Sequence, residues 1–186
     1  MKLRRFLLLV FTAVSAASAT AQSVSSRFLV RISETWLTTH PIAGPNNVGN
    51  CLLVMPNGRM HLELRRQEFF DGKASLRTYE STLPPQGMAR LRSILDEPTV
   101  RALPAPEQPA IPSSSQAVEG FGAEILRISD VQTVGYTVFH GEELINETTT
   151  GKVAKAALKP LAEWSHEVKG SANWQPMPNL DSVCGE

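Results

Sequence analysis

The sequence has no excess of either charge. Over 186 residues, 18 lysines and arginines balance 18 aspartates and glutamates, and only 19% of the residues are charged. A protein that binds nucleic acid through its phosphates needs a surface rich in Lys and Arg, so this composition excludes a basic nucleic-acid binder. A charge-driven disordered chain is also excluded, because 42% of the residues are hydrophobic and the net charge is zero. The length fits one domain of ordinary size or two small ones.

Short motifs that mark common enzyme classes are missing as well. The chain contains no Gly-x-Ser-x-Gly nucleophile elbow, no Walker loop and no dinucleotide-binding glycine fingerprint. His166 and Glu167 begin a zinc-peptidase pattern, but the second histidine of that pattern is replaced by Gly170. No cofactor is predicted, and no enzyme class follows from a motif.

Long apolar runs are absent except near the amino terminus. A positive segment at residues 2–5 precedes an almost unbroken apolar run over residues 6–14, and the Ala-Thr-Ala triplet at 19–21 matches the signal-peptidase rule. The run is shorter than the roughly 20 residues of a permanent membrane span. We therefore predict a signal peptide over residues 1–21 and a secreted or periplasmic mature chain without stable membrane insertion. Removing its three cations leaves 15 basic and 18 acidic groups, a net charge of −3.

Cysteine is scarce, with two residues in the whole chain. In an exported protein an even pair favours one disulfide, which would tie Cys184 near the end of the chain to Cys51 in its first half. A catalytic thiol needs a nearby cation or helix end to lower its pKa. Cys184 lies in an acidic terminal segment and Cys51 begins an apolar run, so we predict a structural disulfide.

The first half of the mature chain, residues 22–102, is predicted to be rich in strands and to end in a helix. Asn57-Gly58 between apolar runs favours a two-residue hairpin turn. With Pro56 opposite Arg59, that register places six apolar residues on one face: Cys51, Leu53, Met55, Met60, Leu62 and Leu64.

A second turn is predicted at Asp71-Gly72, where a two-residue register would place Glu63 opposite Glu80 without separating the faces cleanly. A helix is predicted between Pro84 and Pro98. Proline is favoured in the first turn of a helix, as at Pro84, and it ends a helix that precedes it, as at Pro98.

A Pro/Ser-rich linker is predicted over residues 103–117, and a second hairpin and helix over residues 118–186. The strands of this hairpin are expected at 121–129 and 133–139. The apolar stripe of the long helix is expected at Val153, Ala157, Leu161, Trp164 and Val168, with Pro160 kinking or splitting the helix. The predicted fold class is α+β, with two helices on one face of an antiparallel sheet, in two strand–strand–helix units.

Four residues are the candidates for metal binding or acid–base chemistry. His61 and Glu63 share one strand face, and His140 and Glu142 stand close together after a later strand. A polar sheet face and a solvated turn explain the same patterns without chemistry. If these residues form one site, the fold must bring together groups about 80 positions apart.

The segment from Thr82 to Pro104 resembles the helix that follows a sheet hairpin in small exported bacterial α+β proteins. Some of these proteins, the emfourin-like group, inhibit metallopeptidases. The glycine-rich opening of that group is not visible in this sequence, and no inhibitory residue can be transferred.

Three functional hypotheses follow. The first is an exported, non-enzymatic binding module for a protein or peptide partner, whose exposed strand edges or Pro-rich segment would be contact surfaces. The second is an inhibitor of an exported peptidase, which requires a rigid protruding loop. The third is a small secreted hydrolase or metal-dependent enzyme built from the four candidate residues.

The disulfide can be tested directly. The intact mass of the mature protein should rise by two hydrogens on reduction, and thiol labelling of the native protein should fail. Labelling of Cys51 or Cys184 without reductant would contradict the assignment.

Overall fold

The computed structural model describes residues 28–38, 45–68, 72, 74–107, 115–141, 149–178 and 182–184. The predicted signal peptide, residues 39–44 and residues 108–114 lie outside this set. The elements in chain order are β1 (Val30–Thr38), β2 (Pro45–Val54), β3 (Arg59–Glu68), β4 (Ala74–Thr82), α1 (Pro85–Asp96), α2 (Pro98–Arg101), β5 (Ser115–Leu126), β6 (Val131–Gly141), α3 (Thr149–Ser171) and β7 (Gln175–Met177).

The strands form one antiparallel sheet in the order β6-β5-β1-β2-β3-β4-β7. Strand β1 pairs with β2 on one side and with β5 on the other, so it joins the two halves of the chain in a single sheet. The α+β class and the antiparallel sheet are thus confirmed, whereas the division into two units and the placement of helices on one face stay predictions. Within the described residues, no helix is long and apolar enough to cross a membrane.

The larger apolar cluster combines alternate residues of the central strands with residues of all three helices. Ile32, Leu52 and Leu62 lie on the same face of the sheet, which we call the inner face, because their strands pair in register. Helix α1 contributes Met88, Leu91 and Leu95 to this cluster, and α3 contributes Ala154, Leu158, Leu161, Trp164 and Val168. Burying these side chains stabilises the fold by roughly 1.5–3 kcal/mol for each large one.

Polar contacts also join α3 to β1. Glu34 accepts a hydrogen bond from the Ser165 hydroxyl at 3.1 Å and forms an ion pair with Lys169. The predicted stripe of α3 is wrong at its amino end, where Val153 is 60% exposed and Ala154 is buried instead. Pro160 lies within one continuous helix, so it does not split α3.

The predicted hairpin between β2 and β3 is confirmed, but its register is wrong by one residue. The Met55 amide donates to the Arg59 carbonyl at 2.8 Å and the Gly58 amide donates to the Met55 carbonyl at 3.0 Å, so three residues form the loop. Gly58 has φ +86°, which is typical of the left-handed residue that completes a three-residue hairpin.

This odd loop changes which residues share a face. Leu52 lies opposite Leu62, whereas Cys51 lies opposite Glu63 and Leu53 opposite His61. A one-residue shift moves every side chain of a strand to the other face relative to its partner. The six apolar residues expected on one face are therefore divided between both faces of the sheet.

Other boundaries also differ from prediction. Strand β3 pairs with β4 as expected, but Glu63 lies opposite Thr78 and His61 opposite Glu80. Strand β5 begins at Ser115, inside the predicted linker, and its turn into β6 falls at Ile128-Ser129, earlier than expected. The segment after α3 contains β7, which pairs with β4.

The hairpin glycine gives a stability test. A Cβ atom at position 58 would lie 2.9 Å from the Leu83 carbonyl oxygen in addition to adopting positive φ, whereas Gly72, with φ +62°, has open space around it. Gly72→Ala should destabilise the fold by about 1–2 kcal/mol through its backbone alone, and Gly58→Ala should cost at least about 1 kcal/mol more. Urea unfolding of both variants checks this, and equal costs would contradict the close approach to Leu83.

Candidate functional site

The face opposite the inner face, which we call the outer face, carries the candidate site. Its side chains alternate with those of the core, and they include Arg31, Cys51, Glu63 and Arg65. Residues 182–184, which we call the strap, lie across part of this face. The strap divides the outer face into a covered part and an open part.

Glu63 holds the strap to the sheet. Its carboxylate is completely buried and accepts hydrogen bonds from the Val183 amide at 2.6 Å, the Cys184 amide at 3.0 Å and the Ser182 hydroxyl at 2.9 Å. Arg65 adds an ion pair at 3.2 Å. Hydrogen bonds to an ionised acceptor are about twice as strong as neutral ones, so this single side chain fixes three consecutive residues.

Burial and these hydrogen-bond donors shift the pKa of Glu63 in opposite directions. Burial is the largest single effect and by itself raises the pKa. The amides of Val183 and Cys184, together with Ser182 and Arg65, outweigh it and lower the pKa of the carboxyl below its ordinary value. Glu63 is therefore ionised in the folded protein at neutral pH.

The predicted disulfide is present and acts on the same strap. Cys51 is bonded to Cys184 across 133 residues, and Cys51 lies directly opposite Glu63 in the sheet. The Arg31 guanidinium donates to the Cys184 carbonyl at 2.9 Å. Cys51, Leu53 and Cys184 form a second, smaller apolar cluster, so a covalent bond, a carboxylate and an apolar contact secure the same three residues.

Beside the strap, the outer face is floored by small residues. On β6, β5, β1 and β2 two rows of directly paired positions cross the sheet: Thr137, Gly120, Thr35 and Gly49 in one row, and Gly135, Gly122, Ser33 and Cys51 in the next. Four glycines among eight positions leave a depression that larger side chains would fill. We call this depression the trough.

Close packing of β5 against β6 explains one of these glycines. A Cβ atom at Gly135 would lie 2.6 Å from the Phe121 carbonyl oxygen and 3.2 Å from the Gly122 Cα. Glycine inside a strand marks such close backbone approaches and local bends of a sheet. The trough therefore owes its depth to backbone geometry as well as to missing side chains.

The trough has the size of a ligand site. A hollow of about 600 Å³ is lined by the glycine rows, the Arg31 and Phe139 side chains and Cys184 of the strap. A second hollow of about 460 Å³ continues toward β4, and the two share Thr35, Gly49 and Arg65. Binding sites usually measure about 300–1,000 Å³.

The three candidate residues that the structure describes, His61, Glu63 and His140, do not lie in one site. The ring Nε2 of His61 lies 3.3 Å from a carboxylate oxygen of Glu63, and both side chains are buried. His140 instead contacts Glu119 at 3.3 Å and packs against Trp36 with ring centroids 5.0 Å apart. Glu142 lies outside the described residues.

Of the described candidates, the two histidines do not converge as the hydrolase or metal-enzyme hypothesis requires. His61 is on β3 and His140 on β6, four strand spacings or about 19 Å away, and register places them on opposite faces. In the part of the chain that the structure describes, no group of three or more His, Cys, Asp or Glu residues could hold a metal ion.

Sequence reasoning did not identify the trough. Gly49, Gly120, Gly122 and Gly135 are spread over 87 positions, and only the strand order brings them together. The sequence offered one signal for the trough, which is glycine within segments that look like strands. Such glycines indicate bends of a sheet or close approaches between two backbones.

Comparison of the chain with protein-family models, with curated proteins and with solved structures gives no match.

The role of Glu63 predicts a pH-dependent stability. Because its pKa is lower in the folded chain than in the unfolded chain, its charge stabilises the fold above the ordinary carboxyl range, and this stabilisation is lost as the pH falls through the folded-state pKa. Glu63→Gln should therefore destabilise the protein by about 2–3 kcal/mol at neutral pH, and by less at about pH 3. Urea unfolding at both pH values measures the difference.

Glu80→Gln is the matched control, since Glu80 lies on the same sheet face in a solvent-exposed ion pair with Arg59. It should cost less than about 1 kcal/mol. Equal effects of the two substitutions, or a Glu63→Gln effect that does not change with pH, would contradict the buried carboxylate.

Proposed function

We propose that this protein is an exported, non-enzymatic binding module that takes an extended peptide segment of a partner protein in the trough. The single observation that supports the proposal most is the glycine floor beside the strap. It supplies a concave surface with small residues on its floor and both apolar and charged side chains around it. Such sites are the default place to look for a ligand.

The shape of the trough favours an extended chain as the occupant. Thr137 and Leu76 mark the ends of one row of paired positions that crosses six strands. At about 4.8 Å for each strand spacing this row is about 24 Å long, which matches about seven residues of extended polypeptide. A compact small molecule would fill only one of the two connected hollows.

The chemistry of the trough suits a peptide with an apolar side chain. Val118 and Phe139 pair directly on β5 and β6 and form an apolar border, in which Phe139 is buried and Val118 is half-buried. Arg31 and Glu124 form an ion pair on the opposite border, and the hydroxyls of Ser33 and Thr35 lie between the borders. Mixed borders of this kind orient a bound backbone while the apolar border contributes affinity.

The proposal of a non-enzymatic role rests on the positions of the described histidines. His61 is buried against Glu63, His140 is on the inner face and His166 is exposed on α3. The Ser33, Thr35 and Thr137 hydroxyls of the trough therefore have none of these three histidines as a general base on their own open surface.

The proposal of export rests on the sequence of residues 1–21 and is supported by the disulfide, which oxidising compartments favour. A secreted or periplasmic protein or peptide is then the partner, and nucleic acid is not, since the mature chain is mildly acidic.

A filled trough tests the proposal. A Cβ atom at Gly49 would meet Arg65 and Glu34 only at 3.8 Å, so Gly49→Leu should be tolerated and should occupy the floor where the two hollows meet. Phage-displayed random peptides would be selected on the mature wild-type chain, residues 22–186. The enriched peptides should bind Gly49→Leu at least about tenfold more weakly, a loss of about 1.4 kcal/mol.

Gly170→Leu is the matched control, because a side chain at this exposed position of α3 meets open space. It should leave peptide affinity unchanged, and both variants should keep the wild-type unfolding midpoint within experimental error. Failure to enrich any peptide, or peptides that bind Gly49→Leu as tightly as wild type, would contradict the proposed function.

A further inference from the structure

Three apolar side chains of the outer face line the trough without belonging to either apolar cluster of the fold. Val118 and Phe139 pair directly on β5 and β6 and line the larger hollow, whereas Leu76 on β4 lines the second hollow. Leu76 is 39% exposed and Val118 is half-buried. The trough therefore offers a ligand one apolar contact on β5 and another on β4.

The distance between these two contacts matches the repeat of an extended chain. Gly120, two positions from Val118 on the same strand, lies in one row of paired positions with Leu76. Four strand spacings separate Gly120 from Leu76, which is about 19 Å. In an extended peptide alternate side chains point the same way, so the first and seventh residues share a side and lie about 20 Å apart. One peptide segment can thus reach both contacts.

A charged side chain lies between the two apolar contacts. Arg65 is in the same row, one strand spacing before Leu76 and three spacings, or about 14 Å, from Gly120. The fifth residue of the same segment is also about 14 Å from the first and points to the same side. Among the described residues that line both hollows, Arg65 alone is charged. The described lining of the second hollow contains Arg65 and Arg66 but no Asp or Glu, which favours a negative group in the ligand.

The guanidinium of Arg65 is held in a fixed position. Its Nη2 atom donates to the Glu63 carboxylate at 3.2 Å and to the Ser182 hydroxyl, while 36% of the side chain is exposed. A guanidinium has five N–H donors in one plane and matches the geometry of a carboxylate. Because the strap already orders this side chain, a ligand that binds it does not have to order it.

We propose that the trough takes extended peptide segments with an apolar residue at the first position, Asp or Glu at the fifth and an apolar residue at the seventh, counted from β5. The first residue contacts Val118, the fifth binds Arg65 and the seventh contacts Leu76. The second, fourth and sixth residues point away from the sheet and are free to vary. This inference rests on the proposed function, since it names the class of peptide that the trough takes.

The sequences of selected peptides test the pattern. Phage-displayed random peptides of twelve residues would be selected on the disulfide-bonded protein. Enriched peptides should share two apolar residues separated by five positions, with Asp or Glu two positions from one of them. Replacing that acid by its amide leaves the protein untouched and should weaken binding at least about threefold at low salt, and by less at high salt.

Leu76→Ser tests which end of the peptide carries the acid. It should weaken binding at least about fivefold, because an apolar contact is lost. Replacing the peptide's apolar residue next to the acid by Ala should remove most of this difference, whereas the same replacement at the other apolar residue should not. Fluorescence anisotropy of labelled synthetic peptides measures each affinity.

Ile128→Ser is the matched control. Ile128 is more exposed than Leu76 and is not among the residues that line either hollow of the trough. It should leave the affinity of every selected peptide within about twofold of wild type, and both serine variants should keep the wild-type unfolding midpoint.

The outcomes separate this inference from the proposed function. Failure to enrich any peptide would contradict peptide binding in the trough itself, and the pattern with it. Enriched peptides that lose affinity in Gly49→Leu but lack the pattern would overturn only the pattern. Peptides with the pattern whose affinity is the same in Leu76→Ser as in Ile128→Ser would overturn it as well.

Discussion

The ionised carboxylate of Glu63, buried beneath residues 182–184, is the interaction on which the outer face depends. Burying a charge costs several kcal/mol unless donors replace the lost water, and here two amides, a hydroxyl and a guanidinium do so. The disulfide keeps Cys184 near the sheet, but one covalent bond does not fix the orientation of its neighbours. Glu63 supplies that orientation because it binds three consecutive residues of the strap.

With the strap in place, the outer face has two different parts. Over β2 and β3 the residues Leu53, His61 and Glu63 are all buried, and the strap binds Glu63 and clusters with Leu53. Over β6, β5 and β1 the middle of the face carries glycine, serine and threonine, with Val118 and Phe139 on one side and Arg31 and Glu124 on the other. The side of the trough is formed by Cys184 itself, so the shape of the proposed binding surface depends on the latch that holds the strap. A residue that looked catalytic in the sequence thus has a structural role.

Local patterns predicted much of the fold but little of the site. The hairpin at Asn57-Gly58, the helix that begins after Pro84 and the disulfide follow from residues whose backbone or chemical preferences are strong. The register was missed because two- and three-residue loops both accept Asn-Gly, and one residue of difference exchanges the faces. The trough was missed because its glycines meet only through the order of four strands, which pairing far along the chain determines. The sequence made Glu63 a candidate for chemistry. It did not reveal the structural role of this residue, because its partners in the strap lie about 120 positions away in the chain.

The measurement that tests this account most directly is hydrogen exchange at the amides of Val183 and Cys184 in the disulfide-bonded protein. Both amides donate hydrogen bonds to a buried, ionised carboxylate. Their exchange should therefore be slowed by several orders of magnitude, although they lie near the end of the chain. In Glu63→Gln with the disulfide intact, the protection should fall sharply. Exchange at the rate of a free terminus in the wild type, or protection that persists unchanged in Glu63→Gln, would contradict the claim that this carboxylate holds the strap and shapes the trough.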